Sequence, residues 1–135
     1  MAAIEIWTDG SGTVADLPAG WGAVLVCGEH RRELSGHLPR GTNNVAELSA
    51  VIGALSALKG TGHQVTLYSD SQYVLGHVAG RSKVKANREL VARLRALARQ
   101  HTIKAVWVRG HNGDPNNERC DALANAARLA QGELI

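Results

Sequence analysis

Phenylalanine is absent from this 135-residue chain, methionine occurs once, proline three times, and aromatic residues make up only 4%. The core must therefore be assembled from Val, Leu, Ile and Ala, with a few Trp. Only two cysteines are present, Cys27 in a strand-like run and Cys120 in a helix-like run. Two isolated thiols exclude a disulfide framework and lack zinc-site spacing. They read as small buried hydrophobes and imply a reducing, cytoplasmic setting. No apolar run approaches the ~20 residues of a membrane span, and the first residues lack a signal-peptide pattern. Charge of one sign is not in great excess: the net charge is +3, which permits a polyanionic partner without specifying one. Length and an ordinary hydrophobic share of 44% fit one domain over residues 1–135.

What is present is clear periodicity. Residues 3–8 alternate Ile4, Ile6 and Thr8 against Glu5 and Trp7 and then meet Asp9-Gly10, which predicts a strand stopped by a turn. Residues 22–27 and 30–38 read as two further strands with short connections, favouring an antiparallel meander. Val45, Leu48, Val51, Ile52, Leu55 and Leu58 recur at helical spacing up to Gly60. Residues 65–68 form a short strand, 71–78 a brief helix, 86–100 a longer amphipathic helix and 103–108 the last strand. A final helix over 115–130 starts with Pro115 after a capping Asp114. The predicted order is βββαβααβα. Later strands reached through right-handed crossovers lie parallel to the first, giving an α/β fold: a mixed five-stranded sheet, three antiparallel strands plus two parallel, flanked by helices.

Four acids stand out in that frame: Asp9, Glu47, Asp70 and Asp121. Asp9 and Asp70 follow the first and fourth strands, so parallel neighbours would bring both to one carboxyl edge, where open α/β sheets bind ligands. Glu47 is placed in the first turn of the helix leading to the fourth strand, and Asp121 in the second turn of the last helix. Four converging carboxylates repel one another unless cations lie between them, and the donor set suits two Mg²⁺ ions. Each acid also has a purely structural reading. Asp9-Gly10 is a common turn pair, and Glu47 three residues after Asn44 resembles a capping box. Asp70-Ser71 suits a helix cap, and Asp121 could answer a helix dipole. His111, in the Gly-flanked RGHNGD loop, could carry protons at the same edge.

The stretches TDGS, TNNVAEL, SDSQYV and GHNGDPNNERCDALA, in this order and at these intervals, resemble type 1 ribonuclease H over nearly the whole chain. The resemblance implies a ribonuclease H-like mixed sheet and endonucleolytic hydrolysis of the RNA strand of RNA–DNA hybrids, leaving 5′-phosphate and 3′-hydroxyl ends. It implies that Asp9, Glu47, Asp70 and Asp121 bind two Mg²⁺ ions, with Mn²⁺ able to substitute. One ion would activate water and the other stabilise the departing 3′ oxygen, with Asp9 bridging them and His111 shuttling a proton. By the same resemblance Gly10, Gly12, Asn44 and Gln72 would contact the minor groove, whose 2′-hydroxyls mark RNA. Asn43 would approach the DNA strand, and Thr42 with Asn87 would hold one of its phosphates. Thr42 and Asn43 are also ordinary turn residues, and Asn87 a plausible cap. Such contacts carry no sequence, so cleavage is expected to be largely sequence-independent, by a monomer without membrane attachment.

Two departures from the family pattern accompany the match. Ala15 stands where many members have Asn in the Gly-rich loop. The basic protrusion is shortened to GRSKVKAN, leaving Lys83, Lys85 and Arg88, which lowers the expected number of phosphate contacts. A silent hybrid-binding module is the alternative of another class, but it has no use for four acids that repel phosphate. A resolvase- or integrase-like core is another, and the NNVAEL and SDSQYV contexts favour ribonuclease H over it.

Overall fold

The computed structural model describes residues 2–110 and 112–130. Its elements are β1 (Ala3–Ser11), β2 (Ala19–Cys27), β3 (His30–Leu38), α1 (Asn43–Ser56), β4 (Gln64–Ser69), α2 (Gln72–Val78), α3 (Arg88–Ala98), β5 (Thr102–Trp107) and α4 (Pro115–Leu129). The predicted order βββαβααβα holds. The sheet runs β3-β2-β1-β4-β5. β1, β2 and β3 are antiparallel, while β4 pairs parallel with β1 and β5 parallel with β4.

Alternation along β1 divides the interior into two layers. Ile4 and Ile6 face a core shared with Leu48, Val51 and Leu55 of α1, Leu67 of β4, Val74 of α2 and Leu94 of α3. Trp7, on the opposite face, packs with Val24 and with Cys120 of α4. Burial of each such aliphatic side chain contributes about 1.5–3 kcal/mol. The Trp7 and Tyr68 rings stack at 4.7 Å, adding bulk that the absence of Phe would otherwise deny this smaller layer. Among the described residues, no helix is long and apolar enough to cross a membrane.

Glycines let the layers approach. A Cβ on Gly22 would lie 2.6 Å from Cys120 O, and one on Gly20 would collide with Ala124 O and come within 2.5 Å of Arg128 N. Backbone of α4 thus rests directly on β2 beside β1, which sets where the last turns of α4 end.

Several local expectations are corrected. β1 does not stop at Asp9-Gly10 but continues through Asp9↔Gly22, Gly10↔Trp21 and Ser11↔Gly20, so Asp9-Gly10 is not a turn. β2 accordingly begins at Ala19 and not at residue 22. α1 is capped by Thr42, whose hydroxyl accepts from Val45 N at 3.2 Å. Asn44 therefore lies within the helix, no Asn44–Glu47 capping box exists, and Glu47 falls in the second turn. Ser71, not Asp70, caps α2 by accepting from Val74 N. Asn87 precedes α3 in a left-handed conformation (φ 56°) and makes no side-chain cap. Its Nδ2 instead donates to Tyr73 Oη at 3.0 Å. The Asp114–Pro115 start of α4 is as expected, with Asp114 Oδ1 accepting from Asn116 N and Asn117 N.

Candidate active site

Three of the four acids converge. One carboxylate oxygen from each of Asp9, Glu47 and Asp70 lies within 4.8 Å of the others. The topology dictates this meeting. β1 and β4 are parallel neighbours paired as far as Trp7↔Tyr68, and Asp9 and Asp70 each lie two positions beyond that pair. Glu47 joins them across Gly10, whose N–H donates to Glu47 Oε1 at 2.6 Å. The same N–H contacts Asp9 Oδ1 at 2.9 Å, so one amide orients both carboxylates.

The electrostatics are adverse without a cation. Asp9 and Glu47 are buried, at 6% and 2% exposure, and Asp70 is half-buried. Desolvation pushes the Asp9 carboxyl well above the usual carboxylate range; the Asp70 and Asp121 charges push the same way, while its contact with Glu47 opposes them. Burial raises Glu47 further, and the neighbouring Asp9 adds to the rise. Both carboxyls are thus pushed up by burial, and the pair holds protons that exposed carboxylates would have lost. Among the described residues, Glu47 Oε2 is buried with no hydrogen-bond partner. Such an orphaned carboxylate oxygen is costly unless a proton or cation satisfies it. Hard oxygen donors in this arrangement fit Mg²⁺ or Mn²⁺ and do not suit a soft metal.

Asp121 lies outside the close set of three, on α4, yet its charge is felt at Asp9. His111 lies outside the described residues. Its chain neighbour Gly110 sits against the site: a Cβ there would be 2.7 Å from Asp70 Oδ2. Gly12 packs on the start of α1, where a Cβ would lie 2.9 Å from Asn43 N. Thr42 is half-buried as the cap, and Asn43 and Asn44 are exposed beside it. Gln72 is exposed at the first position of α2, next to Asp70. Asn87 stands apart from the acids, at the end of the shortened basic stretch, tied to Tyr73.

Sequence reasoning missed several supporting residues. Trp107, half exposed, donates from its indole to Asp70 O at 3.3 Å. Arg95 of α3 ties down the basic stretch, donating to Ser82 O at 2.8 Å and to His77 O at 3.3 Å. Nothing in a single sequence separates Arg95 from the other arginines of an amphipathic helix. Ser11, Asn125 and Arg128 form a polar chain close to Asp9. The spacing of Asp121, Asn125 and Arg128 could have signalled one face of α4.

The comparisons agree with this geometry. A sequence model of the RNase H family matches residues 1–128. The ribonuclease H of Syntrophomonas wolfei is 39% identical, the alignment covering 98% of this chain and 100% of that protein. Among solved structures, the N-terminal RNase H domain of a Mycobacterium tuberculosis protein, fused to maltose-binding protein, is 32% identical. It superimposes with a TM-score of 0.84 over 98% of both chains. LC11-RNase H1, solved in complex with an RNA/DNA hybrid, is 27% identical with a TM-score of 0.75, covering 95% of this chain and 98% of that one. With three carboxylates gathered at the β1–β4 edge of this sheet, and with relatives aligned end to end, the chain belongs to the RNase H family.

Proposed function

We propose that this protein is an endoribonuclease that cuts the RNA strand of RNA–DNA hybrids, largely without sequence preference, leaving 5′-phosphate and 3′-hydroxyl ends. The observation that carries the reading is the Asp9–Glu47–Asp70 cluster at the carboxyl edge of β1 and β4, with Asp9 and Glu47 buried and Asp70 half-buried, in a chain of this family. Asp9, Glu47, Asp70 and, from α4, Asp121 are the residues that would hold two Mg²⁺ ions, with Mn²⁺ as a substitute. Bound there, the ions would supply positive charge to the phosphate oxygens and a water of lowered pKa. The chain's own part is to hold that set in place. Gly10 N–H fixes the angle of Asp9 and Glu47, and burial excludes water that would compete for them. His111 would move a proton at the same edge.

Recognition would fall to the start of α1 and the residues beside the acids. Gly10 and Gly12 keep the backbone bare at the groove, and Asn44 and Gln72 offer amides to the 2′-hydroxyls that distinguish RNA. Asn43 would meet the DNA strand, and Thr42 and Asn87 one of its phosphates. The LC11-RNase H1 complex with hybrid supports this assignment of substrate class. One domain acting as a monomer suffices for these roles.

Cleavage of an end-labelled RNA–DNA hybrid in Mg²⁺, wild type beside Asp70→Asn, tests the reading. RNA cut by wild type alone, with the DNA strand and single-stranded RNA left intact, is the expected result. A folded wild type that cuts nothing in Mg²⁺ or Mn²⁺ overturns it.

A further inference from the structure

At the end of β1, two residues beyond Asp9, the Ser11 hydroxyl donates to Asn125 Oδ1 at 2.6 Å and accepts from Arg128 Nε at 2.8 Å. Both helical residues are half-buried. Asp121, Asn125 and Arg128 follow at i, i+4 and i+7 on α4, so they share one helix face. Asp9 and Ser11, two apart on a strand, share one sheet face. The acid pair Asp9–Asp121 is thus continued, one step along both elements, by the neutral pair Ser11–Asn125 and then by a guanidinium. Arg128 lies ~10 Å along the helix axis from Asp121. The juxtaposition is rigid, because Gly20, the strand partner of Ser11, lets the Arg128 backbone rest on the sheet.

The state of this arginine differs from that of Arg31, Arg95 and Arg119, the others whose side-chain hydrogen bonds are described. Arg119 spends two donors on Glu33, at 2.9 and 2.8 Å, and Arg31 bonds Glu33 and Asn116. Arg95 is occupied by carbonyls. Arg128 is oriented through Nε by a neutral hydroxyl, and among the described residues neither of its terminal amino groups has a partner. Among the described residues, four N–H donors and a full positive charge are therefore held beside an acidic edge without a counter-ion. A cation in the last turn of a helix also suits its dipole. The dipole, however, requires no hydrogen-bonded relay to a strand end. A planar fork with a fixed axis fits the oxygens of a phosphate diester.

We infer that Ser11, Asn125 and Arg128 form a phosphate-binding site, in which Arg128 grips a backbone phosphate of the strand passing the acids, beyond the one that is cut. Ser11 and Asn125 are positioning residues for it. The site lies on the α4 side of the edge, where neither the shortened basic stretch nor Asn87 reaches. There it adds a cation for the nucleic-acid backbone, partly compensating for the brevity of that stretch. This inference rests on the hybrid-cleaving reading proposed above.

The test is equilibrium binding and steady-state cleavage of a short RNA–DNA hybrid across a salt series, for wild type, Arg128→Ala and Arg128→Lys. Removing one phosphate-neutralising cation lowers the slope of log K against log[salt] by about 0.7–0.9. Arg128→Ala is expected to show that drop, with KM raised about 3- to 10-fold and kcat unchanged, while Arg128→Lys keeps the wild-type slope. If thermal melting shows that the alanine variant is unfolded, Arg128→Gln, which retains the stem and loses only the charge, serves in its place. An active wild type whose slope and KM are matched by the uncharged variant overturns the site alone. A wild type that neither binds nor cuts hybrid overturns the reading beneath it, and the site with it.

Discussion

The Gly10 N–H donates to Glu47 Oε1 at 2.6 Å, and a Cβ on residue 10 would lie only 2.5 Å from Glu47 N. The bare backbone of β1 is therefore what allows the second turn of α1 to bring a carboxylate to Asp9. Gly10 has this role because of close approach, and its backbone is ordinary strand.

Gly10→Ala should accordingly harm both stability and activity. The added methyl meets Glu47 N and, at 2.7 Å, Ala46 C, both of them backbone atoms that cannot swing aside. Overpacking of this kind costs about 1–3 kcal/mol. Because the same shift displaces Glu47, cleavage should fall at least about tenfold even below the melting temperature. Wild-type activity at wild-type Tm would refute the packing role.

Asp9→Asn should abolish cleavage and leave the metal-free fold no less stable. The substitution removes one of the charges that Asp70 and Asp121 oppose, while an amide oxygen can still accept from Gly10 N. A gain of about 1 kcal/mol in EDTA is expected from the relief of repulsion. Clear destabilisation, measured by denaturant unfolding, would show that Asp9 serves the fold instead.

The raised carboxyl pKa values set a pH dependence for the metal-free protein. Asp9 is moved by burial from 3.8 to about 7, so the folded state retains a proton that the unfolded chain has lost. Its stabilising contribution is complete below pH 3.8 and fades as pH rises through about 7, a change on the order of 4 kcal/mol. Glu47, raised further by burial and by Asp9, acts in the same direction. Glu33 runs oppositely: held at about 2 by Arg119 and Arg31, its contribution is lost as pH falls from 4.5 towards 2. Unfolding in EDTA should therefore show stability declining from pH 4.5 to 8, and Mg²⁺ should restore it at the alkaline end. A flat profile that Mg²⁺ leaves untouched would contradict the proposed carboxylate cage.

Hybrid binding should be weaker, with a shallower salt dependence, than in a relative with a long basic protrusion. Arg81, Lys83 and Lys85, with Arg88 just beyond them, are the cations of this stretch, which Arg95 holds through Ser82 O. Each phosphate left without a cation removes about 0.7–0.9 from the slope of log K against log[salt]. Side-by-side titrations giving equal slopes would defeat this expectation.

Element types were legible in the sequence because periodicity is local. Ile4 and Ile6 alternating against Glu5 and Trp7 marks a strand, and Leu48, Val51, Ile52 and Leu55 mark a helix face, whatever lies around them. The order of elements, together with the handedness of crossovers, then left few ways to place Asp9 and Asp70 at one edge. What the sequence could not settle were matters of approach between distant segments. Asp9-Gly10 has the composition of a turn, yet β2 pairs with it through Ser11, and α1 packs on the glycine. Asn44 and Glu47 have capping-box spacing, but Thr42 captures Val45 N and frees Glu47 to turn inward. Asp121 stands outside the close trio although α4 packs on the sheet face that carries Trp7, Asp9 and Ser11, and Arg128 meets Ser11 only because Gly20 admits that helix. The sequence by itself determined the order of strands and helices and marked the candidate acids, since these depend on neighbours a few residues away. Tertiary structure alone decided which carboxylates touch and which arginine meets the end of β1, since burial and long-range contact belong to no single segment.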